Sequence, residues 1–267
     1  MEVWVVINKC CHCEAFSLKL LLERLRNDSP LFYFNTNFVL MEIFSNDLFN
    51  LQDDFDIEEK LNFIWKSAKD VKFLLPFLYQ KQIRKHEITF LSLNPSLSKE
   101  DKAILKERER ELTLSYRIIN CEKKPVPCIP HFEKFYYIGT ELNECWTCLD
   151  LLYIRNTNQT EVEELYYSNK KFFQSQIETT LDIIKQTKPK CVVVSNKFAQ
   201  TLLLNYEEFR NNWVADNNYV WRYNGIPFVM RESSFLGSRY WKSERNSLLR
   251  DSLFLELRRI LALSQSS

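Results

Sequence analysis

Glycine is nearly absent from this chain of 267 residues, which has only Gly139, Gly225 and Gly237. Loops that bind phosphate through their backbone, such as the P-loop and the G-x-G-x-x-G turn, need glycines at short spacing, and these three positions cannot supply them. The chain also lacks the G-x-S-x-G turn of Ser-His-Asp hydrolases. The sequence therefore argues against nucleotide chemistry by the usual loops and against a serine hydrolase.

Histidine is equally scarce, and its three residues are too few for a His-rich metal site. The eight cysteines are expected to be reduced thiols, because disulfide frameworks belong to small secreted domains. The spacing of Cys10 with Cys13 and of Cys145 with Cys148 leaves open a metal or iron–sulfur site that joins all four. The favoured interpretation is that they are buried small residues, so we expect neither a metal nor a cofactor.

Neither charge sign predominates, because 36 Lys and Arg residues stand against 35 Asp and Glu residues. Any nucleic-acid contact must therefore come from a local basic patch. No segment approaches the ~18 consecutive apolar residues of a membrane helix. The N-terminus, MEVWVVINKCCHC, has neither the basic segment nor the cleavage site of a signal peptide. We expect a cytoplasmic protein with no membrane partner.

Two segments of different pattern make up the chain. Residues 1–85 contain apolar residues at helical spacing around Phe16–Arg26 and Ile57–Gln80, where Pro76 should kink or end the helix. From residue 86 onward, short apolar runs alternate with helical segments, which is typical of a parallel sheet with crossover helices. We predict a mostly helical N-terminal extension of unknown role over 1–85 and an α/β domain over 86–267.

The clearest elements of the second segment are three buried strands, three helices and a hairpin. The hairpin is predicted by the Asn-Gly pair in WRY-NG-IPFVM, and a last helix by Ser243–Leu263. Ligands of open parallel sheets bind beyond the carboxyl ends of the strands, so the residues that follow each strand are the candidates for a site. The predicted strands are Ile88–Leu93, Thr147–Ile154 and Lys190–Ser195, with a helix that presents Phe173, Ile177, Leu181 and Ile184 and another that starts near Asn196.

Three runs in this segment together resemble the uracil-DNA glycosylase superfamily over about residues 86–260. They are FLSLNPS at Phe90–Ser96, TCLDLLYIRN at Thr147–Asn156, and QIETTLDIIKQTKPKCVVVSNKFA at Gln176–Ala199. The resemblance implies a three-layer α/β/α sandwich with a short central parallel sheet. It also implies a monofunctional enzyme that binds DNA, hydrolyses the N-glycosidic bond of a flipped base and releases the free base, without a cofactor.

The resemblance implies roles for four polar residues. Asn94 would orient the attacking water while the departing base carries negative charge, since an amide is not a strong base; alternatively, Asn94 only turns the chain before Pro95. Ser92 stands where the family has a glycine close to the ligand, so we expect a tighter or different pocket. Asn196 follows the next strand and is taken with Ser92 as base-binding.

Asp150 matches the position at which several relatives carry an Asn that reads uracil. An ionised carboxylate only accepts hydrogen bonds, so it would favour a base edge rich in N–H donors and repel uracil unless it were protonated. We therefore expect a damaged or non-standard base other than uracil. The alternative is that Asp150 is a buried carboxylate paired with Arg155.

Two further groups of residues complete the predicted site. A stacking platform for the flipped base is expected from Phe132 or Phe135, although most rings of so aromatic a chain belong to the core. The loop 231–239 resembles the family's second motif but lacks its His and Pro, and residues 231–250 carry a local charge of +3, which alternatively is only a solvated helix face. The DNA-binding candidates are Ser96, Ser233, Ser234, Arg239 and Lys242, with Phe235 or Leu236 as the wedge that enters the base stack.

The missing glycine and histidine leave a second function open. A relative that keeps the fold and the basic loop but has lost the chemistry would bind nucleic acid without cleaving it. The sequence thus predicts a DNA glycosylase-like hydrolase or, as the alternative, a non-catalytic nucleic-acid-binding protein.

Overall fold

The computed structural model describes residues 48–68, 76–78, 82–96, 115–116, 130–217, 219–230 and 247–264. The predictions for the helix at 16–26, for Cys10 and Cys13 and for the loop 231–239 with Lys242 lie outside these residues. Among the described residues, none of the helices combines the length and the apolar character that a membrane crossing requires.

The chain is a mixed α/β protein built on a six-stranded, mostly parallel sheet. Its strands lie in the order β6-β4-β7-β10-β9-β8, in which the first four run parallel and the last two are antiparallel. These strands are β4 (Ile88–Ser92), β6 (Trp146–Asp150), β7 (Cys191–Val194), β8 (Trp213–Ala215), β9 (Val220–Tyr223) and β10 (Ile226–Met230). The short strands β1 (Leu48–Asn50) and β3 (Gln82–Arg84) pair with each other, as do β2 (Phe77–Leu78) and β5 (Ser115–Tyr116).

The described residues form seven helices, which cover both faces of the sheet. One face packs against α2 (Pro130–Leu142) and α7 (Ser247–Ser264) through a cluster that includes Phe90, Trp146 and Val193. We call it the α2 face, and we call the opposite face the α4 face. The α4 face packs against the other helices, which are α1 (Ile57–Ser67), α3 (Gln159–Ser168), α4 (Lys170–Thr187), α5 (Lys197–Asn205) and α6 (Glu207–Asn211).

Local sequence explains the elements that were predicted best. The run of β7 is buried on both faces, as expected for a central parallel strand. The apolar stripe of α4 is fully buried, and its C-cap Lys188 adopts a left-handed conformation before Pro189. Asn224 and Gly225, at φ 50° and 80°, form the tight turn between β9 and β10, so the predicted hairpin is confirmed.

Two predicted boundaries are wrong. The helix predicted over Ile57–Gln80 ends at Ser67, and Phe77 and Leu78 instead form a strand. The spacing of apolar residues continues past the helix end, because Phe77 is buried by tertiary contacts that local periodicity does not encode. The strand predicted over Thr147–Ile154 ends at Asp150. After it the chain still bonds to the continuation of β4, as in the bond from Leu152 N to Leu93 O (2.8 Å).

The described part of the predicted extension packs on the α4 face. It contains α1 and three short strands, and Leu51, Leu61 and Ile83 are fully buried in the same cluster as the sheet residues. The described residues between 48 and 84 therefore share a hydrophobic core with the α/β segment.

Candidate functional site

Polar side chains collect where β4, β6 and β7 end, at what we call the carboxyl edge of the sheet. Ser92 ends β4 and stands beside Asp150, the last residue of β6, in the parallel register. Ser195 directly follows β7. Since side chains alternate between the faces of a strand, Asp150 lies on the same face as Trp146 and Cys148, which is the α2 face.

The first turns of α2 lie against this edge. The Ser92 Oγ is 3.2 Å from His131 Nε2 and 3.2 Å from Ser195 Oγ, and the Ser195 hydroxyl also donates to the Leu91 carbonyl (3.1 Å). Three elements are thus connected by one chain of hydrogen bonds. Ser92 therefore fills the space that a glycine at this position would leave open.

Asp150 is a buried acid that lacks a partner on one oxygen. It is 4% exposed, and its Oδ1 makes no hydrogen bond, even though it is inaccessible to solvent. Burial raises the pKa of Asp150 well above its usual range, which favours the neutral form of the carboxyl group. Arg155 does not pair with it: the guanidinium bonds to the Ser96 carbonyl (3.3 Å) and lies over the Phe77 ring.

Asn94 follows β4 and connects two loops. Its Nδ2 faces three backbone carbonyls, those of Pro95 (3.0 Å), Ile154 (3.3 Å) and Asn156 (2.8 Å). These contacts orient the amide, so that Oδ1 points the other way and is its available acceptor. Asn94 therefore does fix the turn before Pro95, and the same contacts leave its oxygen in one defined direction.

The predicted stacking rings lie inside the core. Phe135 is 0% exposed and stacks on Phe90 with ring centroids 4.2 Å apart, and Phe132 is 3% exposed in the same cluster. Both rings belong to α2 and pack against neighbouring aromatic residues. In this structure neither presents a ring face to a ligand.

Asn196 has a structural role that the sequence analysis did not assign. Its Oδ1 accepts from the backbone N–H groups of Phe198 (2.8 Å) and Ala199 (3.0 Å), and its Nδ2 donates to Gln159 (3.2 Å). Asn196 is thus the N-cap of α5. Ser96, a predicted DNA-binding residue, is exposed and accepts the Arg155 bond through its carbonyl.

The described residues contain three thiols, of which Cys148 lies in β6, Cys191 lies in β7 and Cys145 directly precedes β6. No group of three or more His, Cys, Asp or Glu residues with the geometry to hold a metal ion occurs within the described ranges. Cys148 and Cys191 are buried, and burial raises the pKa of both thiols, as expected for packing residues.

Sequence reasoning missed two polar residues of this site, His131 and Lys134. Lys134 is 4% exposed on α2, and burial lowers its pKa to about 8. The signal was present in the spacing, because Lys134 lies three residues after His131 and four before the buried Ile138, on one face of a helix. A lysine at such an apolar position indicates a buried charge.

These features define a mixed α/β protein with a buried polar site at the carboxyl edge of a mostly parallel sheet. No protein-family model, curated protein or solved structure matches the chain.

Proposed function

We propose that this protein is a DNA glycosylase-like hydrolase with a three-layer α/β/α fold of the uracil-DNA glycosylase kind, and that the carboxyl edge binds a flipped base. The observation that carries the proposal is Asp150, whose buried oxygen lacks a partner at the position where the resemblance requires a base-reading residue. An unsatisfied buried polar atom costs about 1–3 kcal/mol, a cost that a ligand with a complementary group would remove.

The burial of Asp150, which favours its neutral form, supports a different substrate class from the one that the sequence alone suggested. A neutral carboxyl group both donates and accepts a hydrogen bond, as an amide does. It therefore matches a ring edge in which a carbonyl stands next to an N–H group, such as those of uracil, hypoxanthine and xanthine. The proposed substrates are deaminated bases with this edge, in place of bases rich in N–H donors.

Asn94 has the role of holding the attacking water. Its nitrogen is held by three carbonyls, so its oxygen is preorganised to accept a hydrogen bond from water next to the sugar. An amide cannot remove the proton fully, so the reaction depends on the oxocarbenium character of the sugar and on stabilisation of the departing base.

The decisive assay uses labelled oligonucleotides, single- and double-stranded, that contain uracil, hypoxanthine, xanthine or 5-hydroxymethyluracil. Alkaline cleavage after incubation reveals abasic sites. We expect cleavage at a base with the carbonyl and N–H edge, loss of at least about tenfold with Asn94→Ala, and little change with Asn156→Ala, which removes a side chain from the same region but keeps the carbonyl that Asn94 contacts.

Asp150 is tested in the same assay. Asp150→Asn keeps a donor and an acceptor and should remain active on the wild-type substrate, whereas Asp150→Ala should not. If uracil were cleaved only after Asp150→Asn, the carboxyl group would be ionised in the wild type and the proposed substrate class would be wrong.

One observation favours the non-catalytic alternative. Ser92 connects His131 and Ser195 and so occupies the space at which a glycine would admit the ligand. A protein of this kind would retard DNA on a gel and form no abasic site in any of the oligonucleotides.

A further inference from the structure

The segment that follows β6 lies between two candidate site residues. Residues 151–155 form neither helix nor strand, yet all five are buried. Asp150 comes directly before them, and Asn94 contacts the carbonyls of Ile154 and Asn156 near their other end. Buried irregular backbone is uncommon, because its polar groups need partners inside the protein. The contacts that hold this segment therefore also determine where Asp150 and Asn94 lie.

Two polar side chains of α4 hold the segment from below. Gln176 and Thr180 are both 0% exposed and lie four residues apart, on one face of the helix. The Thr180 Oγ1 is 3.1 Å from the Asp150 carbonyl, 3.3 Å from the Leu151 carbonyl and 2.9 Å from the Tyr153 hydroxyl. Since a carbonyl oxygen only accepts, the Thr180 hydroxyl donates to the backbone and accepts from Tyr153.

Gln176 holds the next part of the same segment. Its Oε1 accepts from the Tyr153 N–H (2.8 Å), and its Nε2 donates to the Phe172 carbonyl of its own helix (3.3 Å). The second contact orients the amide, so that its oxygen points at the segment. Tyr153 is thus bonded to α4 through its backbone and its hydroxyl, directly before Ile154, whose carbonyl contacts Asn94.

These contacts specify the path of the segment more than they add to stability. A buried polar pair contributes little net free energy when both partners can be replaced by apolar groups. Here only one partner is a side chain, because the others include backbone carbonyls and a backbone N–H. An apolar side chain at position 176 or 180 would leave those backbone groups buried without a partner.

We infer that Thr180 and Gln176 are positioning residues, which hold residues 151–155 so that the Ile154 carbonyl stays against the Asn94 amide and Asp150 stays at the carboxyl edge. This inference rests on the proposed function, in which Asn94 and Asp150 contact the substrate. Thr180 and Gln176 are fully enclosed, so they act through the segment.

The test measures hydrogen exchange of asparagine side-chain amides by NMR in the ¹⁵N-labelled full chain, and so does not depend on cleavage. The Asn94 signal is identified by its loss in Asn94→Ala. We expect the wild-type Asn94 amide to exchange at least about tenfold more slowly than that of the exposed Asn211. Asn169, whose amide donates to the Leu165 carbonyl (3.1 Å), is the reference for a half-buried amide outside the site.

Variants of Thr180 separate its hydroxyl from its packing. Thr180→Val keeps the shape and should speed the exchange of Asn94 about tenfold, the effect of one hydrogen bond left unmade, without a matching change at Asn169. Thr180→Ser keeps the hydroxyl and should retain slow exchange. The matched control is Thr179→Val, which removes a buried hydroxyl bonded to the Ser175 carbonyl of the same helix (2.8 Å); it should leave Asn94 unchanged.

Gln176→Met should act as Thr180→Val does, and it provides the same measurement if Thr180→Val does not fold. A folded variant of either kind in which Asn94 exchanges as slowly as in the wild type overturns the inference. Faster exchange of Asn94 and Asn169 in equal proportion reports a loss of global stability and also overturns it. A wild-type Asn94 amide that exchanges as fast as that of Asn211 overturns it without any variant.

The cleavage assay separates this inference from the proposed function. If oligonucleotides are cleaved, Thr180→Val should lower kcat/KM at least about tenfold, and Thr180→Ser should not. If none is cleaved but the exchange of Asn94 depends on Thr180 and Gln176, the glycosylase proposal is wrong and the positioning role stands. If Thr180→Val and Gln176→Met cleave as the wild type does, the positioning role is wrong and the proposed function stands.

Discussion

Asp150 illustrates how a residue changes character when its strand is buried on both faces. In a solvated loop its carboxyl group would be ionised and would accept hydrogen bonds only. At the end of β6 it is enclosed by the α2 face, and one oxygen has no partner. Burial without a compensating charge favours the neutral acid. The hydrogen bonds that the site can make therefore depend on the pKa of Asp150, which is set by burial and cannot be read from the sequence.

The raised pKa of Asp150 predicts a pH-dependent cost to stability. Its folded-state pKa is raised, so its contribution is fully favourable below the unfolded pKa of about 4 and is lost as the pH rises toward the folded value. Asp150→Asn removes this cost. We expect the variant to be more stable than the wild type by at least about 1 kcal/mol at pH 8, with a difference that shrinks toward pH 4.

Urea unfolding at pH 4, 6 and 8 measures this difference. Asp251→Asn, at an exposed position of α7, is the matched control. A constant difference between wild type and Asp150→Asn across the three pH values would mean that Asp150 is ionised in the folded protein.

A glycine is required at position 139 because Trp146 and the Glu144 backbone lie too close to its Cα to leave space for a side chain. A Cβ at this position would lie 2.6 Å from Trp146 Cδ1 and 2.9 Å from the Glu144 carbonyl oxygen. We expect Gly139→Ala to destabilise the protein by about 1–3 kcal/mol, the usual cost of overpacking, as measured by the shift in the urea midpoint. Thr140→Ala, at the exposed neighbouring position of α2, should have a small effect; equal effects of both substitutions would contradict the packing argument.

At the scale of elements, α2 connects the site to the core. Its first turns carry His131 and Lys134 at the carboxyl edge, its middle carries Phe135 into the aromatic cluster, and Gly139 packs against Trp146 near its end. The position of the site side chains therefore depends on how the whole helix packs. Substitutions at its far end should affect ligand binding through helix position as well as stability.

Asn196 provides a prediction at this scale, because it caps α5. Loss of its two N–H contacts in Asn196→Ala should lower the free energy of unfolding by about 1 kcal/mol. Asn196→Asp keeps the capping oxygen and suits the helix dipole, so it should retain stability.

The same pair of variants tests whether Asn196 also reads a base. If it only caps the helix, Asn196→Asp should leave the affinity for free uracil unchanged in calorimetry. A large loss of affinity in a stable Asn196→Asp protein would restore the base-binding role that the sequence suggested.

At the scale of the whole molecule, polar groups are buried between the sheet and α2, where they oppose folding in part. His131, which is half-buried, is one case with a consequence for stability. Because burial and Lys134 lower its pKa to about 3, the folded protein holds a neutral imidazole that the unfolded chain would protonate below about pH 6.5. The unfolded state then binds more protons, so stability must fall as the pH falls from about 6.5 to about 3.

His131→Gln should therefore reduce the loss of unfolding free energy as the pH falls below about 6.5. We expect the wild type to lose up to about 1.4 kcal/mol per pH unit through this residue between pH 6 and pH 4, and the variant to lose less. Thermal unfolding across this range is the measurement, with His86→Asn, which removes an exposed histidine, as the control. Parallel profiles for wild type and His131→Gln would show that the imidazole is not held neutral by the fold.

Helices, strands and turns that depend on residues close together in the sequence could be predicted from it. The apolar run of β7, the stripe of α4 and the Asn-Gly turn each depend on neighbouring residues, and all three have the predicted form. The end of α1 at Ser67 was not predictable, because apolar residues continue at helical spacing and the competing burial of Phe77 involves Tyr153, far along the chain. The site is predictable only to the same extent. The ends of the strands indicate which residues could belong to it, but they do not indicate which side chains surround those residues.

The sequence by itself determined the class of fold and some of the residues at the carboxyl edge, Ser92 and Asp150 among them, because the strands and the polar residues at their ends follow from local patterns. Only the tertiary structure decided how deeply those residues are buried and which charge they carry. Packing of α2 against β4 and β6 buries Phe135 as a core ring, raises the pKa of Asp150 by burial and encloses Lys134. Burial is a property of residues distant in sequence, and burial sets the charge and the exposure on which the chemistry of this site depends.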